Sequence, residues 1–387
     1  MPFPAHRGLF GAPPWLHTAA RYSATPRIGG RKGGPLPELT GPAGASPPAA
    51  GEAELLCIGN ALVDIFARTE GTGTGVRHVG PEELAGTLAR LSPADLLGTC
   101  AGGGAANVAK IAALLGVRTA FAGSVGSADG AADPYGRLFA GELSRAGVRL
   151  FLRRCRRLPT GALLTLTAPS GESRIIAAPA AALEFSPADI PEEALMAARA
   201  VVLDGYMLAR DALVTRVLAL AGRRGTAVAL DVGSADLAAA RAPEILRYCR
   251  EYPLLLFMNE AEALAFYRAL HGEGAGEQAG ERRLDRNVRS FLKGLTQDGP
   301  FPVIAVKRGS RGAAVYARGE RYPARSRVFI PGDSTGAGDA FCAGFLAGWL
   351  RDRPPEQCAL LGNRTARKVL GTPGTTAAFQ TIKALSP

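Results

Sequence analysis

Asp333-Ser334-Thr335-Gly336-Ala337-Gly338-Asp339 is followed directly by an apolar run from Ala340 to Leu350. Three small residues ahead of such a run let backbone N–H groups converge on one point. The run reads as a buried helix, so those donors stand at a helix N-terminus, which carries positive partial charge. That is a seat for a phosphate oxygen. Asp339 opens the helix beside the seat. A carboxylate repels phosphate, so it does not hold one; it suits the task of orienting and deprotonating a hydroxyl that attacks phosphorus. An N-capping Asp on an ordinary core helix satisfies the same pattern, so other parts of the chain must decide.

Four further constellations carry polar groups at element ends. Gly59-Asn60-Ala61-Leu62-Val63-Asp64 follows an apolar strand-like run, and Asp64 stands between Val63 and Ile65. A carboxylate there can accept hydrogen bonds from two sugar hydroxyls, or it can cap a turn. Gly102-Gly103-Gly104-Ala105-Ala106-Asn107 precedes a helix, and its glycines permit close backbone approach to a ligand. A dinucleotide fingerprint is disfavoured because Asn107 replaces its third glycine and no acidic residue is well placed about 20 positions on, after a strand. Asn259 and Glu262 share one face of a helix's first turn. They suit waters around Mg²⁺, and equally a capping box. Val306-Lys307-Arg308-Gly309-Ser310-Arg311-Gly312-Ala313 lets the chain fold beneath a flat ring or a phosphate, or simply turns one strand into the next. No GxxxxGK[ST] sequence occurs, which excludes a P-loop enzyme.

These motifs need elements to hold them. A first buried strand is expected at Leu55 to Gly59 and a charged helix over 81–91, with Pro81 in its first turn. The glycine turn 102–104 leads to a helix over 105–115, and Val117 to Gly123 reads as a strand. A helix from Phe139 to Ala146 stops at Gly147. Residues 161–168 and 173–178 read as strands around the turn Pro169-Ser170-Gly171. Strands then alternate with helices: strands at 200–204, 227–231, 254–258 and 303–307, helices at 211–223, 242–250 and 260–270. That rhythm implies a mostly parallel sheet with helices on both faces, and ligands bind at the carboxyl ends of such strands. The Gly-rich stretch 272–281 reads as a surface loop. Residues 1–53, rich in Pro, Gly and Ala, read as a disordered extension, and 54–387 as the folded domain.

Composition narrows the function. The chain has 387 residues, 47% of them hydrophobic, and a formal charge of +11. Its basic residues are scattered and aromatics make up only 6%, which argues against a nucleic-acid partner. No apolar run approaches the roughly 20 residues a membrane span needs. The six cysteines form no CxxC pair, and the four histidines pair at helical spacing with no other ligand type, which argues against a zinc site and a His-based triad. A reduced cytoplasmic protein, monomeric or homodimeric, is the expectation.

In this order and spacing, the segments resemble the ribokinase-like (PfkB) family of small-molecule kinases over about residues 54–385. Asp333 to Asp339 resembles its C-terminal signature. Gly102 to Asn107, with Gly123-Ser124-Val125-Gly126, resembles its N-terminal signature, and Asn259 to Glu262 its Asn-x-x-Glu motif. The resemblance implies a three-layer α/β/α sandwich with a small β lid drawn from parts of 61–79 and 161–178. It implies ATP as phosphoryl donor and Mg²⁺ as cofactor. By similarity Asp339 is the base and Gly336, Ala337 and Gly338 form the anion hole. Asp64, Asn60, Gly103, Gly104 and Asn107 fall at the substrate. Asn259 and Glu262 fall at the Mg²⁺–phosphate water network, and Lys307, Gly309, Gly312 and Asn363 at the nucleotide. Asp333 and Thr335 match positions that bind a monovalent cation, K⁺ for example, in some members. The Gly-Ala-Asn that many sugar kinases carry after the lid hairpin is replaced by Ala178-Pro179-Ala180-Ala181-Ala182. The Gly59-Asn60 opening and the 81–91 helix look more like adenosine-kinase-type members. The expected activity is transfer of the ATP γ-phosphoryl group to a hydroxymethyl group of a sugar, with a nucleoside as alternative acceptor. A non-catalytic sugar- or nucleoside-binding regulator is the competing class.

Overall fold

Period-two alternation of apolar residues decides the layering. In the first strand Leu55 and Cys57 pack into one core and Leu56 and Ile58 into another, so this strand is buried on both faces, as parallel strands are. The computed structural model describes residues 52–71, 73–272, 281–297, 299, 301–326 and 336–370. The strands in chain order are β1 (Leu55–Ile58), β2 (Leu62–Arg68), β3 (Gly75–His78), β4 (Leu96–Gly102), β5 (Thr119–Ala128), β6 (Ala131–Ala132), β7 (Arg149–Cys155), β8 (Thr160–Thr167), β9 (Ser173–Ala180), β10 (Ala200–Asp204), β11 (Ala227–Asp231), β12 (Leu254–Asn259), β13 (Val303–Lys307), β14 (Ala313–Ala317) and β15 (Glu320–Ala324). The helices are α1 (Pro81–Ala89), α2 (Gly104–Leu114), α3 (Pro134–Arg145), α4 (Glu192–Ala197), α5 (Asp211–Arg224), α6 (Ala235–Glu251), α7 (Glu260–His271), α8 (Glu281–Gln297), α9 (Ala337–Trp349) and α10 (Pro355–Val369).

A ten-stranded sheet runs in the order β15-β14-β13-β12-β11-β10-β1-β5-β6, with β7 also on β5. It is parallel from β13 through β5 and on to β7, while β14, β15 and β6 run antiparallel. Helices α2, α3, α9 and α10 cover one face and α4 to α8 the other. The result is a three-layer α/β/α sandwich. Parallel register brings the last residues of neighbouring strands side by side: Asp204 opposite Asp231, and Asn259 opposite Lys307. The carboxyl edge of the sheet therefore presents a row of polar side chains.

A second sheet of five strands, β3-β9-β8-β2-β4, has its own apolar face around Val63, Ile65, Leu164 and Ile176, covered by Leu84 of α1. The hairpin β8–β9 turns where Pro169-Ser170-Gly171 stands, and the sheet also takes in Leu96–Gly102, a segment with no strand expectation.

Several boundaries differ from those expected. α3 starts earlier, at Pro134, because Asp133 caps it by accepting from Gly136 N–H at 2.7 Å. α6 runs from Ala235 rather than 242, capped by Ser234, and carries Pro243 inside it. Of the stretch read as a loop, 273–280 lies outside the described residues, whereas Glu281 already begins α8. Residues 1–51 also lie outside them. All six cysteines are free and buried, and burial holds the thiols of Cys57, Cys249 and Cys342 above their usual range.

Candidate active site

Gly336 stands at the N-cap of α9, and its left-handed backbone (φ 75°) suits a residue without Cβ. The N–H of Ala340 donates to Gly336 O at 2.9 Å, so the N–H groups of Ala337, Gly338 and Asp339 precede the first intrahelical bond. Ala340 to Trp349 are all buried, and Phe345 meets Phe257 of β12 edge-on at 5.2 Å. Such an aromatic pair contributes about 0.5–1.5 kcal/mol beyond area burial, and here it fixes α9 against the sheet.

The Asp339 carboxylate accepts a hydrogen bond from Asn107 Nδ2 at 2.9 Å. Asn107 comes from the first turn of α2, which starts after Gly103 (φ 95°). Burial pushes the Asp339 carboxyl up to about 7, with Asp231 and Asp204 adding and the Asn107 hydrogen bond and Lys307 charge opposing. Such a value suits a general base near neutrality.

Lys307, the last residue of β13, bonds both oxygens of Asp231 at 2.7 and 2.9 Å. Burial works against its charge, but Asp231 and Glu262 outweigh it and hold the ammonium above its ordinary range. Its Nζ lies 3.3 Å from where a Cβ at Gly338 would stand, so the cation sits against the turn that opens α9. Asn259 and Glu262 form a complete capping box: Asn259 Oδ1 accepts from Glu262 N–H at 2.9 Å, and Glu262 accepts from the Asn259 main-chain N–H at 2.8 Å and from Nδ2 at 2.6 Å. Both residues nonetheless line the same cavity as Lys307. Burial raises the Glu262 carboxyl, Lys307 lowers it and Asp231 raises it.

After β13 the chain turns tightly, with Arg308 N–H donating to Gly312 O at 2.7 Å. A Cβ at Gly312 would fall 2.3 Å from Ala324 O. Asn363 of α10 donates to that same Ala324 O at 3.0 Å.

On the other side of Asp339, the Asp64 carboxylate lies directly over Gly102: a Cβ there would fall 2.2–2.3 Å from its carboxyl atoms. Gly103 leaves equally little room, its Cβ position being 2.3 Å from Asn60 O. The Asn60 Oδ1 accepts from Arg210. Burial pushes Asp64 up to about 6, with Lys110 lowering it and Glu142 raising it.

One cavity of about 710 Å³ collects most of these groups. Gly104, Asp339, Ala337 and Gly338 line it, as do Asn259, Glu262 and Lys307, and then Gly309, Gly312 and Asn363. Asp64, Asn60, Gly103, Asn107 and Gly336 are not among its lining residues, although Asn107 bonds the lining Asp339 and Asp64, Gly103 and Gly336 are part-exposed. Asp333 and Thr335 lie outside the described residues. Two lining carboxylates were not singled out in the sequence. Asp204 and Asp231 each end a parallel strand, and the rule that ligands meet the carboxyl ends of such strands was the available signal. Asp204 is pushed up to about 6 by burial, against Arg210 and the main-chain N–H groups of Ala105, Tyr206 and Met207.

The pfkB family carbohydrate kinase model matches residues 53–382. A cytidine kinase from Thermococcus kodakarensis is 42% identical over 72 residues, which are 18% of this chain and 25% of that protein, so the chain matches a quarter of its length. An ATP-dependent ribose-1-phosphate kinase from Halopiger xanaduensis is 29% identical over 278 residues, 72% of this chain and 82% of that one. The solved structure of adenosine kinase from Sinorhizobium meliloti superposes with a TM-score of 0.71 at 25% identity, covering 85% of this chain and 99% of that chain. A family match over nearly the whole described chain, and a shared three-layer fold, identify the chain as a member of the pfkB carbohydrate kinase family.

Proposed function

We propose that this chain transfers the γ-phosphoryl group of ATP to a hydroxymethyl group of a sugar. The observation that carries this reading is the Asp339 carboxylate. It stands at the mouth of α9, beside the leading N–H groups of Ala337 and Gly338, in the wall of the cavity. In the reaction the acceptor hydroxyl gives its proton to Asp339 as its oxygen bonds the γ-phosphorus and the bond to the ADP oxygen breaks. The N–H groups of Ala337 and Gly338, with Lys307 behind them, meet charge on the equatorial phosphoryl oxygens. Asn107 keeps the Asp339 carboxylate aimed. Asp64 accepts hydrogen bonds from acceptor hydroxyls. The five-stranded sheet serves as the lid that excludes water, which would otherwise compete as acceptor. Gly309, Gly312 and Asn363 form the nucleotide's side of the cavity.

Mg²⁺ fits the donors present. Glu262 and Asn259 offer oxygen ligands, and no group of three His, Cys, Asp or Glu among the described residues forms a protein cage. Mg²⁺ is characteristically held through one or two carboxylates, waters and phosphates. Glu262 would hold it through water, and the ion would neutralise phosphate charge. A monovalent cation at Asp333 and Thr335 belongs to the same reading.

A nucleoside is the second acceptor reading. Tyr206 lines the cavity with 45% of its surface exposed, a ring face on which a base can stack. The likeness to cytidine and adenosine kinases favours the same reading.

The test is ADP release with ATP and Mg²⁺, with and without K⁺, across ribose, fructose, 2-keto-3-deoxygluconate, adenosine, inosine and guanosine. Release strictly dependent on one acceptor is expected. Acceptor binding without ADP release would mark a non-catalytic binder. The pH profile is a second check. Asp339 and Asp64 must both be ionised, and their values of about 7 and about 6 place the loss on the acid side. We expect kcat/KM for the acceptor to fall about tenfold per pH unit below about 7, and more steeply below about 6. A profile flat down to about pH 5 would contradict both assignments.

A further inference from the structure

The five-stranded sheet ends at β4, an edge strand, and an edge leaves main-chain groups unpaired. At Ala101 both outward groups are taken by side chains from the other body of the fold. The N–H donates to Glu142 Oε2 of α3 at 3.0 Å, and the C=O accepts from Lys110 Nζ of α2. Lys110 and Glu142 are themselves paired at 3.9 Å and are 1% and 6% exposed. A charged pair so deep is costly unless further hydrogen bonds satisfy both groups, and here the Ala101 main chain supplies one to each. Ala101 is followed by Gly102, whose backbone lies against the Asp64 carboxylate, and by the turn into α2. Lys110 also lies within electrostatic reach of Asp64 and Asp339.

We propose that Lys110 and Glu142 are positioning residues for the acceptor site: a buried ion pair that pins the root of β4 to α2 and α3 and holds the Gly102 backbone beneath the Asp64 carboxylate. This rests on the reading of Asp64 as the acceptor contact. The pair acts on Asp64 in two ways. Through Ala101 it sets the place of the strand. Through charge it sets the ionisation of Asp64, which Lys110 lowers and Glu142 raises. The groups facing this cluster are Cys100 of β4, Asp64 of β2, Glu142 of α3 and, toward Lys110, Asp339 of α9.

The test uses the full chain with Lys110→Met and, separately, Glu142→Gln, which keeps an acceptor oxygen for Ala101 N–H. Lys110→Met is expected to lower kcat/KM for the acceptor about 10²-fold, the scale of a misplaced binding group, while KM for ATP stays unchanged. The Asp64 carboxyl titration, followed by ¹³C NMR, is expected to move up in Lys110→Met and down in Glu142→Gln. A pair that only stabilised the fold would lower Tm in both variants and leave kcat/KM for the acceptor unchanged, and that result overturns the proposal. Should Lys110→Met fail to fold, Glu142→Gln decides: a fall in kcat/KM for the acceptor with KM for ATP unchanged supports the proposal, and an unchanged acceptor term overturns it. Should the wild type phosphorylate none of the acceptors, the functional reading falls, while calorimetric acceptor binding still judges this inference: weaker binding in the variants supports it and unchanged binding overturns it.

Discussion

Asp339→Asn is expected to lower kcat about 10²–10⁴-fold while ATP and acceptor still bind. The amide has the size of the carboxylate, and its oxygen can keep the hydrogen bond from Asn107 Nδ2. The N-terminus of α9 and the Lys307–Asp231 pair are untouched. What disappears is the proton acceptor. Single-turnover rates and calorimetric binding constants separate the two effects. Near-wild-type turnover in a folded Asp339→Asn protein would mean that another group takes the proton. A parallel loss of binding would mean that Asp339 shapes the cavity more than it reacts.

Gly102→Ala should remove acceptor recognition with the nucleotide site intact. The new methyl would stand 2.2 Å from Asp64 Cγ and Oδ2 and 2.3 Å from Oδ1, closer than any real contact. Either the carboxylate turns away or β4 moves, and overpacking of this kind costs about 1–3 kcal/mol. We expect kcat/KM for the acceptor to fall by about 10² or more, with KM for ATP unchanged. Tm measured alongside separates local displacement from unfolding. An unaltered acceptor KM in a folded variant would show that the present orientation of Asp64 is not the one that binds.

The parallel core was legible because its strands are short apolar runs ended by Gly, Asp or Asn. Val201-Val202-Leu203-Asp204 and Leu254 to Asn259 are cases. The antiparallel and edge strands were not. β4 begins with four exposed residues, includes Gly98, and relies on β2 for its pairing. β7 carries Arg149, Arg153 and Arg154 in a strand that only its partner β5 makes plausible. α6 extends seven residues ahead of the expected 242 because Ser234 caps it there, and Pro243 is carried within it.

The site divides in the same way. Asp339, Asn107, Glu262 and Lys307 were visible because each belongs to a local pattern of glycines or caps. The partners that set their chemistry come from far along the chain. Lys307 is separated from Asp231 by 76 positions, and Asn107 from Asp339 by 232. Asn259 and Glu262 show that a motif can satisfy both of its readings, since they cap α7 and also face the cavity. Lys110, in an otherwise apolar stretch of α2, belongs to no such local pattern, and only its contacts with Ala101 and Glu142 give it a task.

The most direct measurement of the central claim follows the γ-phosphorus itself. With ³¹P-observed ATP, Mg²⁺ and the acceptor that supports ADP release, the wild type should convert the γ-phosphoryl resonance into a phosphomonoester on the acceptor's hydroxymethyl carbon, and Asp339→Asn should leave it on ATP. Appearance of inorganic phosphate in place of the monoester, or equal monoester formation by both proteins, would contradict the account.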